Sequence, residues 1–160
     1  MPETRGTFIA VDPFGAAVRR NIGPLKQSLH HLKGGGCLAL FPAGEVSSFD
    51  WHDRRIQDPP WTHHVAGLIR KTEAAVLPVF IDGHNSLLFQ LSGMIHPRLR
   101  TVLLARELAA RRAVPIHIYI GRPIPAPKLL KYDGDQQLIE YLRTATYFLR
   151  TRRHRKPLPK

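Results

Sequence analysis

The sequence predicts an α/β domain in which a layered, mixed or mostly parallel sheet is flanked by helices. Short apolar runs alternate along the chain with segments whose apolar residues recur every three and four positions. This alternation of strand-like and helix-like periods is the pattern of layered α/β folds. With 43% hydrophobic residues among 160, the chain holds enough apolar material for a single buried core. Residues 1–150 carry the alternation and form the domain, while 151–160 form a basic, disordered tail.

Thr7-Phe8-Ile9-Ala10-Val11 is short and apolar and stops at Asp12-Pro13, which predicts a buried strand ending in a turn. Beyond it, Phe14, Val18, Ile22, Leu25, Leu29 and Leu32 line one helical face until Gly34-Gly35-Gly36 ends it. Pro24 either kinks that helix or opens a second one, with Asn21 or Gly23 near its cap. Cys37-Leu38-Ala39-Leu40-Phe41 reads as a second buried strand. Its cysteine is the only one, so it forms no internal disulfide and behaves as a small buried hydrophobe in a reducing setting.

Residues 42–62 have no steady period and read as a long polar and aromatic loop, a kind of segment that is usually functional or mobile. A short helix over 63–72, with Val65, Leu68 and Ile69 on one side, leads into the apolar run 74–81, a further buried strand whose Pro78 marks an edge or a strand end. Residues 87–95 and 99–108 read as two helices. Ile116, Ile118 and Ile120 alternate with His117 and Tyr119, the period of a strand with one face buried. Leu138, Leu142, Ala145 and Leu149, flanked by Tyr141 and Phe148, predict a final amphipathic helix.

Lysine and arginine total 24 against 12 aspartate and glutamate, a formal charge of +12. Such a balance favours an anionic partner: phospholipid headgroups, nucleic acid or an acidic carrier. Half of the excess sits at the end, where Arg150, Arg152, Arg153, Arg155, Lys156 and Lys160 occur without an acid. That tail is either a solvated end or a membrane anchor, for which each basic group near an anionic leaflet contributes about 1 kcal/mol. No run approaches the roughly 18 to 20 consecutive apolar residues of a membrane-spanning helix. The first residues contain no apolar signal core. The expected location is cytoplasmic, peripheral at the inner face of the cell membrane.

The block Phe41-Pro42-Ala43-Gly44-Glu45-Val46-Ser47-Ser48 follows a predicted strand and opens a loop, where α/β folds build ligand sites. Its glycine lets backbone approach a ligand, Glu45 accepts hydrogen bonds, and Ser47 and Ser48 donate them. A purely structural turn with an exposed glutamate fits the same residues. The block resembles the Phe-Pro-Glu-Gly-Thr-Arg-Ser motif of the lysophosphatidate and related glycerolipid acyltransferases. Val76-Leu77-Pro78-Val79 resembles that family's later apolar-proline block, in the same order. Residues 8–15 and 82–91 are similar to the bacterial branch of putative hemolysin or ornithine-lipid-type acyltransferases. The resemblance covers about residues 8–123.

This resemblance implies an acyltransferase-like fold and transfer of a fatty acyl group from acyl-CoA or acyl-ACP, as co-substrate, to a lyso-lipid, with no bound cofactor and no metal. Phe41, Pro42, Gly44, Glu45, Ser47 and Ser48 would then line the substrate site. Val46 stands where the wider family has a phosphate-binding arginine. An aliphatic side chain cannot form that planar fork of hydrogen bonds, so a zwitterionic or amino-acid-containing acceptor is expected rather than lysophosphatidate.

In the family a His-x-x-x-x-Asp motif precedes the first strand; its histidine is the general base and its aspartate orients the imidazole. None of the nine histidines here has an aspartate five positions later. No catalytic residue is therefore assigned. The chain is read as an N-terminally incomplete domain, a misassigned start or a degenerate relative, with little turnover of its own. His63 and His64, His30 and His31, and His52 near Asp50 and Asp53 are the candidate substitutes, as bases or as metal ligands. With one cysteine and no spaced ligand pattern, a structural role fits them better.

Phe49, Trp51 and Trp61, mixed with Arg54 and Arg55, form either an interfacial edge that dips into lipid or a satellite core under the loop. With Arg152, Arg153, Arg155 and Lys156, the residues Trp51, Trp61, Arg54 and Arg55 are the membrane-contact candidates. The alternative function is a non-catalytic basic module that binds anionic membrane or nucleic acid. The basic tail contains no stacking aromatic, which disfavours nucleic acid.

Overall fold

The computed structural model describes residues 8–9, 22–44, 48–50, 55–82 and 115–154. In chain order they form α1 (Ile22–Lys33), β1 (Ser48–Asp50), β2 (Arg55–Gln57), α2 (His64–Thr72), β3 (Val79–Asp82), β4 (His117–Ile120), α3 (Ala126–Leu129), α4 (Asp135–Phe148) and a 3-10 helix (Leu149–His154). The layered, mixed or mostly parallel sheet is not found. Among the described residues, β1 pairs with β2 and β3 with β4, both antiparallel, in two separate two-stranded sheets. The described residues form a small mixed fold: four α-helices with short antiparallel ribbons.

The run 37–41, expected as a buried strand, explains much of the difference. It pairs with no strand among the described residues, and Cys37, Leu40 and Phe41 are exposed. The cysteine is thus not the buried hydrophobe expected of it. Phe8, also assigned to a buried strand, is 75% exposed. A layered sheet needs both segments as central, hydrogen-bonded strands, and without ladder partners their backbone groups would be buried at a cost. The stretch 42–62, read as a loop without period, contains the β1–β2 hairpin, in which Phe49 opposes Ile56. The two helices expected over 87–108 lie outside the described residues.

The chain divides into two compact units, and the boundary falls inside α4, between Tyr141 and Leu142. The first comprises Met1–Glu45, Trp61–Val76 and Pro123–Tyr141. Pro24 lies in the first turn of α1, where its missing N–H costs nothing. The helix stops at the glycine run: the Gly34 and Gly36 amides donate to the His30 and His31 carbonyls at 3.0 and 2.9 Å. The His31 ring occupies the space that a Cβ on Gly36 would need, and its Nε2 stands 3.1 Å from the Cys37 carbonyl. A side chain at position 36 would displace the His31 ring from that place.

α1 lies against α2. Ala66, Leu68 and Ile69 of α2, Ile124, Ala126 and Leu129 around α3, and Leu138 and Ile139 of α4 are buried. Full burial of Leu129 and Leu138 contributes about 1.5 to 3 kcal/mol each. Val76 and Ile124 exchange backbone hydrogen bonds of 3.0 and 2.8 Å as an isolated bridge. Arg70 ties α2 to the approach of α4: Nε donates to the Asp135 carboxylate at 2.8 Å, and Nη2 to the Tyr132 and Asp133 carbonyls at 2.6 and 3.1 Å. Tyr132 stacks on Tyr141 with centroids 4.8 Å apart, and the Lys128 ammonium lies 5.5 Å above the Tyr141 ring.

The second unit comprises Val46–Pro60, Leu77–Arg122 and Leu142–Lys160. Its β3–β4 ribbon pairs Val79 with Ile120, Phe80 with Tyr119, Ile81 with Ile118 and Asp82 with His117. Beyond the ladder, the Gly121 amide donates to the Pro78 carbonyl at 2.9 Å. Pro78 sits just before β3, a strand end as its ring requires. The period of two holds in β4, but the isoleucines do not face inward. Phe80 meets Tyr119 at 6.4 Å and Tyr147 at 5.8 Å between centroids, so the Phe80–Tyr119 face turns inward. Leu142 and Leu149 are buried here, and the 3-10 helix packs on both strands.

Two measurements follow from this packing. α2 ends with Glu73 in the left-handed conformation, φ 52°, its amide donating to the Ile69 carbonyl at 2.8 Å. A Cβ is unfavourable there, so Glu73→Gly raises unfolding stability by up to about 1 kcal/mol in urea denaturation. In the second unit the Tyr147 hydroxyl accepts from the Asp58 amide at 3.1 Å. Burial pushes the Tyr147 phenol above its ordinary value of 10.0, with the Asp58 carboxylate adding to the rise; the Asp58 amide and Arg143 oppose it. The folded state therefore keeps a proton that the unfolded chain has released. The stability contributed is fully present below pH 10.0 and is lost as pH rises through the higher folded value. Tyr147→Phe removes that alkaline component and, through the lost hydrogen bond, costs about 1 kcal/mol at neutral pH.

Candidate functional site

Residues 41–44 form a reverse turn closed by a 3.0 Å hydrogen bond from the Gly44 amide to the Phe41 carbonyl. Pro42 and Gly44 stand at the second and fourth places, which suit the fixed φ of proline and the freedom of glycine. Gly44 has φ +70°, where any other residue is strained, and nothing would crowd a Cβ at that position. Backbone conformation, not space, selects glycine there. Phe41 projects outward at 79% exposure, while Pro42 and Ala43 are half-buried.

A long-range backbone hydrogen bond ties this turn to the entry of α2. The Thr62 amide donates to the Pro42 carbonyl at 3.0 Å, so the motif block meets the entry to α2 within the first unit. Trp61 is half-buried at that junction, and its indole Nε1 is buried without a hydrogen-bond partner among the described residues. A buried donor left unmet costs about 1 to 3 kcal/mol. His63 and His64, the next residues, are exposed, and His63 makes no side-chain capping bond to the helix it precedes. Arg70 and Lys71 occupy the last turn of α2, where positive charge complements the helix dipole.

Of the residues assigned to the substrate site, Phe41, Pro42 and Gly44 come together in the turn. Ser48 lies in β1, opposite Gln57, and Glu45 and Ser47 lie outside the described residues. Among the membrane-contact candidates, Trp61 adjoins the turn, Arg55 is in β2, and Arg152 and Arg153 are in the 3-10 helix. Trp51, Arg54, Arg155 and Lys156 lie outside the described residues. Among the described residues no group of three or more His, Cys, Asp or Glu side chains is placed to hold a metal ion. No described helix is long and apolar enough to cross a membrane.

Sequence reasoning missed the link between Pro42 and Thr62, since nothing in either stretch specifies a backbone contact across twenty residues. Trp61 was the available signal, because an amphipathic ring beside a Pro-Gly turn is suited to packing on it. No protein-family model matches the chain, and neither the curated proteins nor the solved structures give a match.

Proposed function

We propose that the chain is an acyl-transfer-type domain that binds a lyso-lipid and an acyl thioester at an anionic membrane surface. The observation that carries this reading is the Phe41–Gly44 turn: a reversed, glycine-dependent loop with an outward phenyl ring, hydrogen-bonded to the Trp61-Thr62 segment. Its residues are those of the block that resembles the acyltransferase motif. The antiparallel ribbons lend nothing to the reading, which rests on the sequence blocks and this turn.

In the proposed reaction the acceptor hydroxyl attacks the thioester carbonyl. A carbon–oxygen bond forms as a base takes the hydroxyl proton. Collapse of the tetrahedral intermediate then breaks the carbon–sulfur bond, and the released thiolate takes up a proton. Gly44 allows backbone approach to the acceptor. With no His-x-x-x-x-Asp pair in the sequence, acyl transfer runs roughly 100- to 10,000-fold below a domain that has its base.

A second reading, a non-catalytic basic module on an anionic membrane, is favoured by that same lack of a base together with the charge of +12. The two part on the turn. If it holds the acceptor, Gly44→Val weakens saturable lyso-lipid binding about tenfold, while costing about 1 to 2 kcal/mol of stability for the left-handed position. Equilibrium binding of a fluorescent lyso-lipid below its micelle concentration, with acyl-CoA turnover followed by thiol release, checks both. Lyso-lipid binding that is absent, or indifferent to Gly44→Val, rejects the acyl-transfer reading.

A further inference from the structure

We infer that the outer face of the β3–β4 ribbon is a docking surface for an anionic lipid bilayer. Val79 and Ile81 of β3 and Ile118 and Ile120 of β4 stand on one face, because directly opposed residues in a ladder share a face and the register pairs 79 with 120 and 81 with 118. Leu77 and Ile116 continue the alternation just outside the ladder. These six are 41–62% exposed. The ribbon cannot turn over to bury them, since its other face is occupied by the contacts of Phe80 with Tyr119 and Tyr147. An aliphatic stripe of this kind marks an interaction surface rather than scattered exposed residues.

Charge decides the partner. The unit that carries the ribbon has fifteen lysines and arginines against five acids, a net +10, whereas the other unit has nine against seven, a net +2. The stripe itself runs into an exposed arginine, Arg122, two positions beyond Ile120. A second copy would bring one strongly positive unit against another. Nucleic acid offers phosphate but no apolar counterpart for six aliphatic side chains, and the stripe holds no ring on which a base would stack. A bilayer with anionic headgroups supplies negative charge at the surface and hydrocarbon just beneath it, the pair of properties this face complements.

The inference goes beyond acyl transfer, and vesicle binding needs neither acyl donor nor turnover. A chain that adsorbs through this face and binds no lyso-lipid keeps the inference and loses the proposed function.

The test is flotation of the full chain with phosphatidylcholine vesicles, with and without phosphatidylglycerol. The wild type floats with the anionic vesicles. The Ile118→Thr/Ile120→Thr variant, which keeps β-branched residues in the strand, binds them at least about tenfold more weakly, and Arg122→Gln about fivefold more weakly. An Ile118→Trp variant retains an apolar strand former, and its added indole is quenched by brominated acyl chains on vesicle binding; it serves as the check if the threonine pair does not fold. Unchanged affinity in a folded threonine pair overturns the inference, as does an unquenched indole at the substituted position. So does a wild-type chain that ignores vesicles and instead dimerises with rising concentration, or binds polyglutamate or an oligonucleotide.

Discussion

A two-stranded ribbon has only two faces, and in the second unit the aromatic contact of Phe80 with Tyr119 and Tyr147 claims one of them. The period of two then leaves no choice for the aliphatic positions, which all fall on the other side. Each aromatic contact of this kind is worth about 0.5 to 1.5 kcal/mol beyond the area it buries. All three rings are half-buried, Phe80 reaches α4 through Tyr147, and Tyr147 adds a polar link to the Asp58 amide. Turning the ribbon over would bury the aliphatics but expose the Phe80 and Tyr119 rings and take Phe80 away from Tyr147. The outward isoleucines follow from this balance.

The first unit depends on a different kind of constraint, backbone geometry read out by single residues. Gly36 makes room for the His31 ring at the end of α1, and Gly44 supplies the left-handed position of the motif turn. Arg70 reaches one carboxylate and two carbonyls through one planar fork, which a lysine cannot reproduce. Because its ion pair with Asp135 is partly solvated, most of its value lies in directional bonding and not in charge. The candidate site inherits this economy. One amide, Thr62 to Pro42, joins the turn to α2, and a sequence that kept the turn but lost the junction would keep the motif without the place.

What was legible in the sequence was local. The helical period of 138–149 and the glycine stop after Lys33 identified α4 and the end of α1, because spacing and chain breaking are properties of neighbouring residues. The Phe41–Gly44 turn was legible for the same reason, through a proline and a glycine at the positions a turn prefers. Pairing was not legible. An apolar run such as 37–41 looks the same whether or not a ladder partner exists, and 37–41 has none among the described residues. The β1–β2 hairpin escaped notice because its two three-residue strands are largely polar and show no alternation. In β4 the period was read and the inward face was not, since Ile and Tyr both favour strands and only Phe80 and Tyr147, distant in sequence, break the tie.

Acyl transfer and surface binding place unequal demands on this chain. Transfer requires a proton acceptor within hydrogen-bonding reach of the acceptor hydroxyl, a geometric condition that one misplaced group defeats. Adsorption requires apolar area and net charge, which add over many residues and tolerate the loss of any one. The two contributions to adsorption also respond differently to the medium: the charge of the second unit is screened within about 8 Å at physiological ionic strength, while burial of the aliphatic stripe is little affected by screening. Charge acting alone would give attraction that fades with salt, and the stripe alone would give weak adsorption without preference for headgroup. Their concentration in one unit, with Arg122 at the edge of the stripe, is what would make the proposed anionic bilayer a more specific partner than either property would select.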